Sequence, residues 1–346
     1  MEKLSKKHLE SAKTDFNTLK EIEEPSDGNS FKKQLNAVGI KKQQIKDYVE
    51  RIDKDKAKKI SQKYKNYFEL CNVNNKFLET NLIKKYPIFG ADEINNHKML
   101  YNQTDINLIN EKLFEIKDEY KFDTKKQALL KPPSLSSILK LTESEKNRNL
   151  LTKWKIKKIE ELGMQEFEKY SIALLNRGSI FHKTIEDYTN KGKKFEEITV
   201  ENQFKPAWES LSGILTKDIT KTLYSECKVS HENLCYTGKF DSVCYYKDKI
   251  YVVEWKLGDK RKDTIEDLYD YPLQLVAYLG AFLVDKQYEE FRKKHAITNV
   301  MVIHAYVDGS PPSIHCLSFH QVIEYWLKYL VRLQQFWLNV RDTKVD

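Results

Sequence analysis

Apolar residues change their spacing along this chain, and the change divides it. Up to about residue 125 they recur at helical intervals in patches, as in FKKQLNAVGIKKQQIKDYVERI, among many Lys, Asn, Glu and Asp residues. This predicts a mostly helical first region, 1–125, with flexible stretches near 24–30 and 72–75 and a break at Pro87 and Gly90. After Pro132-Pro133, Ser134 or Ser136 is placed to cap a helix. The spacing then predicts a basic helix over about 143–162, a second through 166–190 broken at Arg177-Gly178, and a third over about 203–218.

From Thr222 the period becomes two. TLYSECKVS, LCYTGKFDSVCYY and KIYVVEWKL read as three antiparallel strands. A helix in DYPLQLVAYLGAFLVDKQ follows, then strands TNVMVIHAYV and SIHCLSF, and an aromatic-rich amphipathic helix, VIEYWLKYLVRLQQFWLNV, that should pack on the sheet. The expected architecture is an α/β fold over 126–346: a curled, mainly antiparallel sheet flanked by helices, preceded by the helical region.

With 346 residues, 40% of them hydrophobic, the chain can bury a substantial core. The formal net charge of +8 suits a polyanionic partner without establishing one. Five cysteines (71, 227, 235, 244 and 316) without C-x-x-C spacing argue against a zinc site or a disulfide framework and fit a reducing compartment. No apolar run approaches the roughly 18–20 residues a membrane span needs. The opening segment mixes acids with its lysines, contains no arginine and has no apolar stretch, unlike a transit peptide or a secretory signal.

The most informative stretch is GKFDSVCYYKDKIYVVEWK, residues 238–256. With Lys247-Asp248 as a two-residue turn, Tyr246 faces Lys249, and equal steps outward bring Asp241 opposite Glu254, with Lys256 on the same face. Two carboxylates there repel unless a cation, a shared proton or open water compensates. A divalent ion such as Mg²⁺ or Mn²⁺, which prefers oxygen ligands, is the compensation that also does chemistry. The plainer reading is a solvated face of an ordinary hairpin. The same counting sets Lys239 against Lys256, so the ladder is expected to bulge or splay near Gly238.

Gly238-x-x-Asp241 followed by Glu254-x-Lys256 resembles the core of the PD-(D/E)xK nucleases. Two flanking segments resemble the RecB-like branch: RGSIFHKTIED, with Gly178, His182 and Glu186, and YPLQLVAYLGA, with Gln274 and Tyr278. The blocks YPIF, PSLSSIL, LLTKWKIKKIEELG and AYVDGSP are similar to the exonucleases of that branch that maintain mitochondrial DNA, and the likeness covers about 86–335. Glu254 stands where those enzymes usually carry Asp, a change the wider class tolerates.

The resemblance implies a metal-dependent exonuclease acting on single-stranded DNA from free ends, with Mg²⁺ or Mn²⁺ held by Asp241, Glu254, the backbone carbonyl of Trp255 and His182. Lys256 would orient or activate the attacking water and offset charge on the phosphate. Glu186 either orients His182 or is a surface acid; Gln274 and Tyr278, at i and i+4, either reach a common partner at the site or pack on the sheet. Glu226 is a candidate outer carboxylate. Ser134 and Ser136 either bind a backbone phosphate or merely cap a helix. Arg177 and the helix lysines Lys153, Lys155, Lys157 and Lys158 either follow phosphates along a helical arch, about 134–190, or form a solvated face. A monomer in mitochondria, with no membrane and no iron–sulfur cluster, completes the expectation, the scattered cysteines lacking the cluster's run of ligands. Two alternatives stay open: a RecB-like structure-specific endonuclease, and a non-catalytic nucleic-acid-binding protein on the same fold.

Overall fold

The alternating segments form a five-stranded sheet, and the 3.6-period segments cover both of its faces. The computed structural model describes residues 30–70, 82, 86–89, 131–191 and 193–343. The flexible stretches expected near 24–30 and 72–75 lie outside these, apart from Ser30. The chain divides into two units, Met1–Glu50 and Arg51–Asp346. Helix α1, Ser30–Leu70, begins in the first unit, where its surface carries the i,i+4 pairs Gln43–Asp47 and Lys46–Glu50.

In the second unit, Ser134 caps α2 (Leu135–Leu141) and Ser144 caps α3 (Glu145–Leu162), each side chain accepting a backbone N–H three residues on. α4 runs unbroken over Met164–Lys191, so the expected break at Arg177-Gly178 does not occur. A Cβ at Gly178 would meet nothing within 4 Å, and Phe181 and Ile185 continue the helix's buried stripe one and two turns on. The third expected helix is divided instead: α5 is only Lys205–Ser210, and a π-helical turn, Ile214–Asp218, leads into the sheet.

The strands are β1 (Ile219–His231), β2 (Tyr236–Tyr246), β3 (Lys249–Gly258), β4 (Asn299–Tyr306) and β5 (Ser313–Leu317), in that spatial order. All neighbours are antiparallel except β3 and β4, which run parallel from Tyr251↔Asn299 to Gly258↔Tyr306. A parallel pair needs a crossover, and α6 (Tyr271–Phe282) and the short α7 (Glu289–Arg292) supply it. α8, Phe319–Asp342, closes the chain. The fold is thus mixed α/β with N-terminal helices and a mixed, mainly antiparallel sheet. Among the described residues no helix is long and apolar enough to cross a membrane.

Alternation sorts the core. Ile250, Val252, Val300 and Val302 face α6 and α8, while Val253, Trp255, Met301 and Ile303 face α4 and α5. Trp255, Trp326 and Trp337 are fully buried, each contributing on the order of 2–3 kcal/mol by removal from water. Gly280 of α6 lets that helix lie against Trp326, whose Cε3 would stand 3.1 Å from an added Cβ, with its ring carbons Cζ3 and Cη2 closer still. Gly280→Ala is therefore expected to destabilise by about 1–3 kcal/mol through overpacking. On an open helix surface the same change would stabilise by roughly 0.5–1 kcal/mol, so the sign of the shift in urea midpoint checks this packing.

Candidate active site

The hairpin between β2 and β3 turns where its polar dipeptide predicts: Lys247 and Asp248 have φ of 46° and 67°. Positive φ at both central residues makes the turn match the strands' twist. Pairing runs from Tyr246↔Lys249 to Ser242↔Val253. The next step in this register would set Asp241 against Glu254, as counted from the sequence, but the ladder ends there. Asp241 Oδ2 instead accepts the backbone N–H of Trp255 at 2.8 Å. A carboxylate has taken the place of a ladder carbonyl, so the strands part at Asp241 and not at Gly238. The expected Lys239–Lys256 opposition is relieved because each lysine finds its own glutamate, Lys239 on Glu226 and Lys256 on Glu254.

Asp241 is buried, and its second oxygen lies 3.2 Å from His182 Nδ1 on α4. The same nitrogen is 3.8 Å from Glu226 Oε1 on β1. Glu226 sits between the pairs Ser225↔Ser242 and Cys227↔Phe240, across from Asp241. Its φ of 55° is unusual for a long side chain inside a strand. His182, Glu226 and Asp241 each offer one ligand atom, and these atoms lie within 4.8 Å of one another. Burial works against the charged imidazole of His182, but its hydrogen bond to Asp241 and that group's charge prevail and raise its pKa above the ordinary 6.5.

Glu254 lies beside this trio, not within it. Only 2% exposed, it faces α6, where Oε1 accepts from Lys256 Nζ at 2.6 Å and from Gln274 Nε2 at 2.9 Å. Its Oε2 has no hydrogen-bond partner among the described residues. Burial first, then the charge of Asp241, pushes the Glu254 carboxyl up to about 7, with Lys256 and His182 offsetting part of the rise. Gln274 Nε2 also donates to Tyr278 Oη at 2.9 Å, so the i,i+4 pair on α6 is joined to itself: Gln274 reaches Glu254, while Tyr278 lies in the buried core cluster. Tyr278 packs over Gly238, where a Cβ would meet Cε1 at 2.5 Å, which explains the glycine in the strand.

The remaining candidates are placed as follows. Glu186 accepts from Lys183, three residues before it on α4, at 2.8 Å, while His182 lies against Asp241. Arg177 makes a two-pronged contact to Asp259, just past β3, at 2.8 and 2.9 Å. Ser134 caps α2 and contacts Ser136 Oγ at 3.0 Å. On α3, Lys155 is held by Asp53 at 2.7 Å and Lys158 by Glu161 at 2.6 Å, while Lys153 and Lys157 are exposed. The indole N–H of Trp255 donates to Ser242 Oγ at 3.1 Å, and the backbone N–H of the same residue is its observed link to Asp241. Sequence reasoning missed Tyr271, whose ring lies 4.5 Å from Lys256 Nζ; the available signal was its place one helical turn before Gln274.

This donor set fits a divalent cation. An imidazole nitrogen and two carboxylates converge, and a neighbouring buried carboxylate has an oxygen to which nothing among the described residues donates. Protein donors alone leave that oxygen costly, and a cation would satisfy it.

No family model matches the chain. Mitochondrial genome maintenance exonuclease 1 of Homo sapiens is 34% identical over 205 residues, 59% of this chain and 58% of the relative. The Xenopus tropicalis protein of the same name is 34% identical over 207 residues, covering 59% and 57%. This chain therefore spans less than two thirds of the length of those relatives. A solved bacterial chain from Eubacterium rectale aligns with a TM-score of 0.30 at 14% identity, over 68% of this chain and 89% of that one, a likeness too low to bear on function. Over 59% of its length the chain is homologous to mitochondrial genome maintenance exonuclease 1.

Proposed function

We propose that this chain is a metal-dependent exonuclease that hydrolyses phosphodiester bonds of single-stranded DNA from free ends, in mitochondrial DNA maintenance. The observation that carries the reading is the convergence of His182, Glu226 and Asp241 within 4.8 Å, next to the buried Glu254–Lys256–Gln274 network, in a chain homologous to a named exonuclease. His182, Asp241 and Glu226 would hold Mg²⁺ or Mn²⁺, and the nuclease resemblance implies that Glu254 and the Trp255 carbonyl would complete the set. When bound, the ion supplies charge to stabilise the phosphate's developing negative charge and lowers the pKa of water.

The chain's own residues do the rest. Lys256, fixed by Glu254 and Tyr271, presents its ammonium to the attacking water and the phosphate. Burial opposes its charge, yet Glu254 and Asp241 raise its pKa, so it stays a cation. Gln274 and Tyr278 hold Glu254 in place. Arg177, Lys153 and Lys157 contact the backbone of a strand passing the arch helices, and Ser134 and Ser136 lie near its path. The nuclease domain is taken as 126–346, acting as a monomer.

Digestion of linear and circular single-stranded DNA and of duplex, with Mg²⁺ and with EDTA, tests the reading. Linear single strands are expected to be degraded only with metal and circles to survive. Cut circles would favour the endonuclease reading, and no digestion with any divalent ion would leave only a binding role.

A further inference from the structure

Beside the metal ligands lies a cleft of about 620 Å³ bordered by Lys131, Lys228, Lys239, Ser134, Ser136 and Tyr278. Lys228 and Lys239 are direct cross-strand partners on β1 and β2, a placement in which like charges repel. Lys131 adds a third cation at the same rim. Asp285, the cleft's one acid among the described residues, accepts from Ser230 N at 2.8 Å and Gln287 N at 2.9 Å. Neither Lys131 nor Lys228 has a carboxylate partner among the described residues. Lys131 and Lys228 are thus available to an added anion, and the hydroxyls of Ser134 and Ser136 are suitable donors to one.

Lys239 belongs to two places at once. It lines this cleft, and its ammonium contacts Glu226 Oε2, the carboxylate whose other oxygen faces His182. While that contact lasts, Glu226 is neutralised by a lysine and is a poorer ligand for a cation.

Resting on the nuclease reading above, we propose that the cleft binds the sugar–phosphate backbone of the strand next to the bond that is cut, and that Lys239 couples this to metal binding. A phosphate in the cleft draws Lys239 from Glu226, which frees Glu226 for the ion. Strand and metal therefore bind cooperatively, each raising the affinity for the other by the same factor. Lys239 is a positioning residue: it acts on the site through Glu226. Its side chain is 53% exposed, so its replacement leaves the fold intact.

The test is calorimetric titration of Mn²⁺ into the full chain, with and without a cleavage-resistant phosphorothioate oligothymidylate, for wild type, Lys239→Met and Lys228→Met. Wild type is expected to bind Mn²⁺ about tenfold more tightly with the oligonucleotide. Lys239→Met should bind Mn²⁺ more tightly than wild type without DNA and lose that enhancement. Lys228→Met should keep normal Mn²⁺ affinity without DNA. Measured by anisotropy in EDTA, each variant's log–log salt slope for oligonucleotide binding should be about 0.7 shallower than wild type. Unchanged salt slopes, or an enhancement that persists in Lys239→Met, overturn the proposal while leaving the nuclease reading standing. A wild type that binds neither Mn²⁺ nor oligonucleotide overturns both.

Discussion

Lys256→Ala is expected to lower DNA cleavage by about 10²- to 10³-fold, the usual loss when one group stabilising a developing charge is removed. Lys256 is the single cation against Glu254, at 2.6 Å, and it rests on the face of Tyr271. No other lysine or arginine among the described residues pairs with that carboxylate. Without its partner Glu254 is left buried with only Gln274 to serve it, and it takes up a proton to avoid an isolated charge. The variant therefore loses both the ammonium and the carboxylate form of Glu254. Lys153→Ala, on the exposed side of α3, is the control and should change the rate only a few-fold through DNA binding. Initial rates on a linear single strand at saturating Mg²⁺ make the comparison. A Lys256→Ala variant as fast as wild type would remove this hairpin from the proposed chemistry.

The second large effect is on pH. Burial and the charge of Asp241 raise Glu254 from an ordinary 4.5 to about 7, and the bond to Asp241 raises His182 above 6.5 despite its burial. In the proposed metal site both groups would hold an ion only after losing a proton, so protons would compete with the ion on the acid side. Apparent Mn²⁺ affinity and cleavage should therefore fall below pH 7, by about tenfold per unit for each group that must deprotonate. Stability without metal should move the opposite way. A carboxyl whose pKa is raised on folding contributes stability that is complete below its unfolded value and is lost as pH climbs through its folded one. For Glu254 that window is about 4.5 to 7, and His182 adds the same sign at its upper end. Melting in EDTA should be lower at pH 8 than at pH 6, and Mn²⁺ should recover the difference at pH 8. Identical melting at both pH values, with and without Mn²⁺, would mean that these groups are not poised as described.

Much of this site was legible in the residues because a two-residue hairpin turn acts as a ruler. Lys247-Asp248 sets the register, and the register sets Asp241 near Glu254 with Lys256 on the same edge. Helical spacing likewise brought Gln274 and Tyr278 together. From the sequence Glu226 reads only as a candidate outer carboxylate, because the link 232–235 between β1 and β2 does not reveal how the two strands align. Nor does any local pattern announce a left-handed glutamate inside a strand. The predicted break at Gly178 failed for a related reason: glycine weakens a helix, but α4 is held by the burial of Phe181 and Ile185 against the sheet.

By itself the sequence determined the order of helices and strands, the hairpin register and the residue types able to do the chemistry, since these follow from spacings within short stretches of chain. The tertiary structure alone decided which of those residues meet. It brought His182 from α4 to Asp241, turned Glu226 toward both, parted the strands so that Asp241 could take the Trp255 N–H, and gave each lysine its own glutamate. Such contacts join residues up to dozens of positions apart, and their geometry depends on the packing of whole helices against the sheet, which no local period encodes.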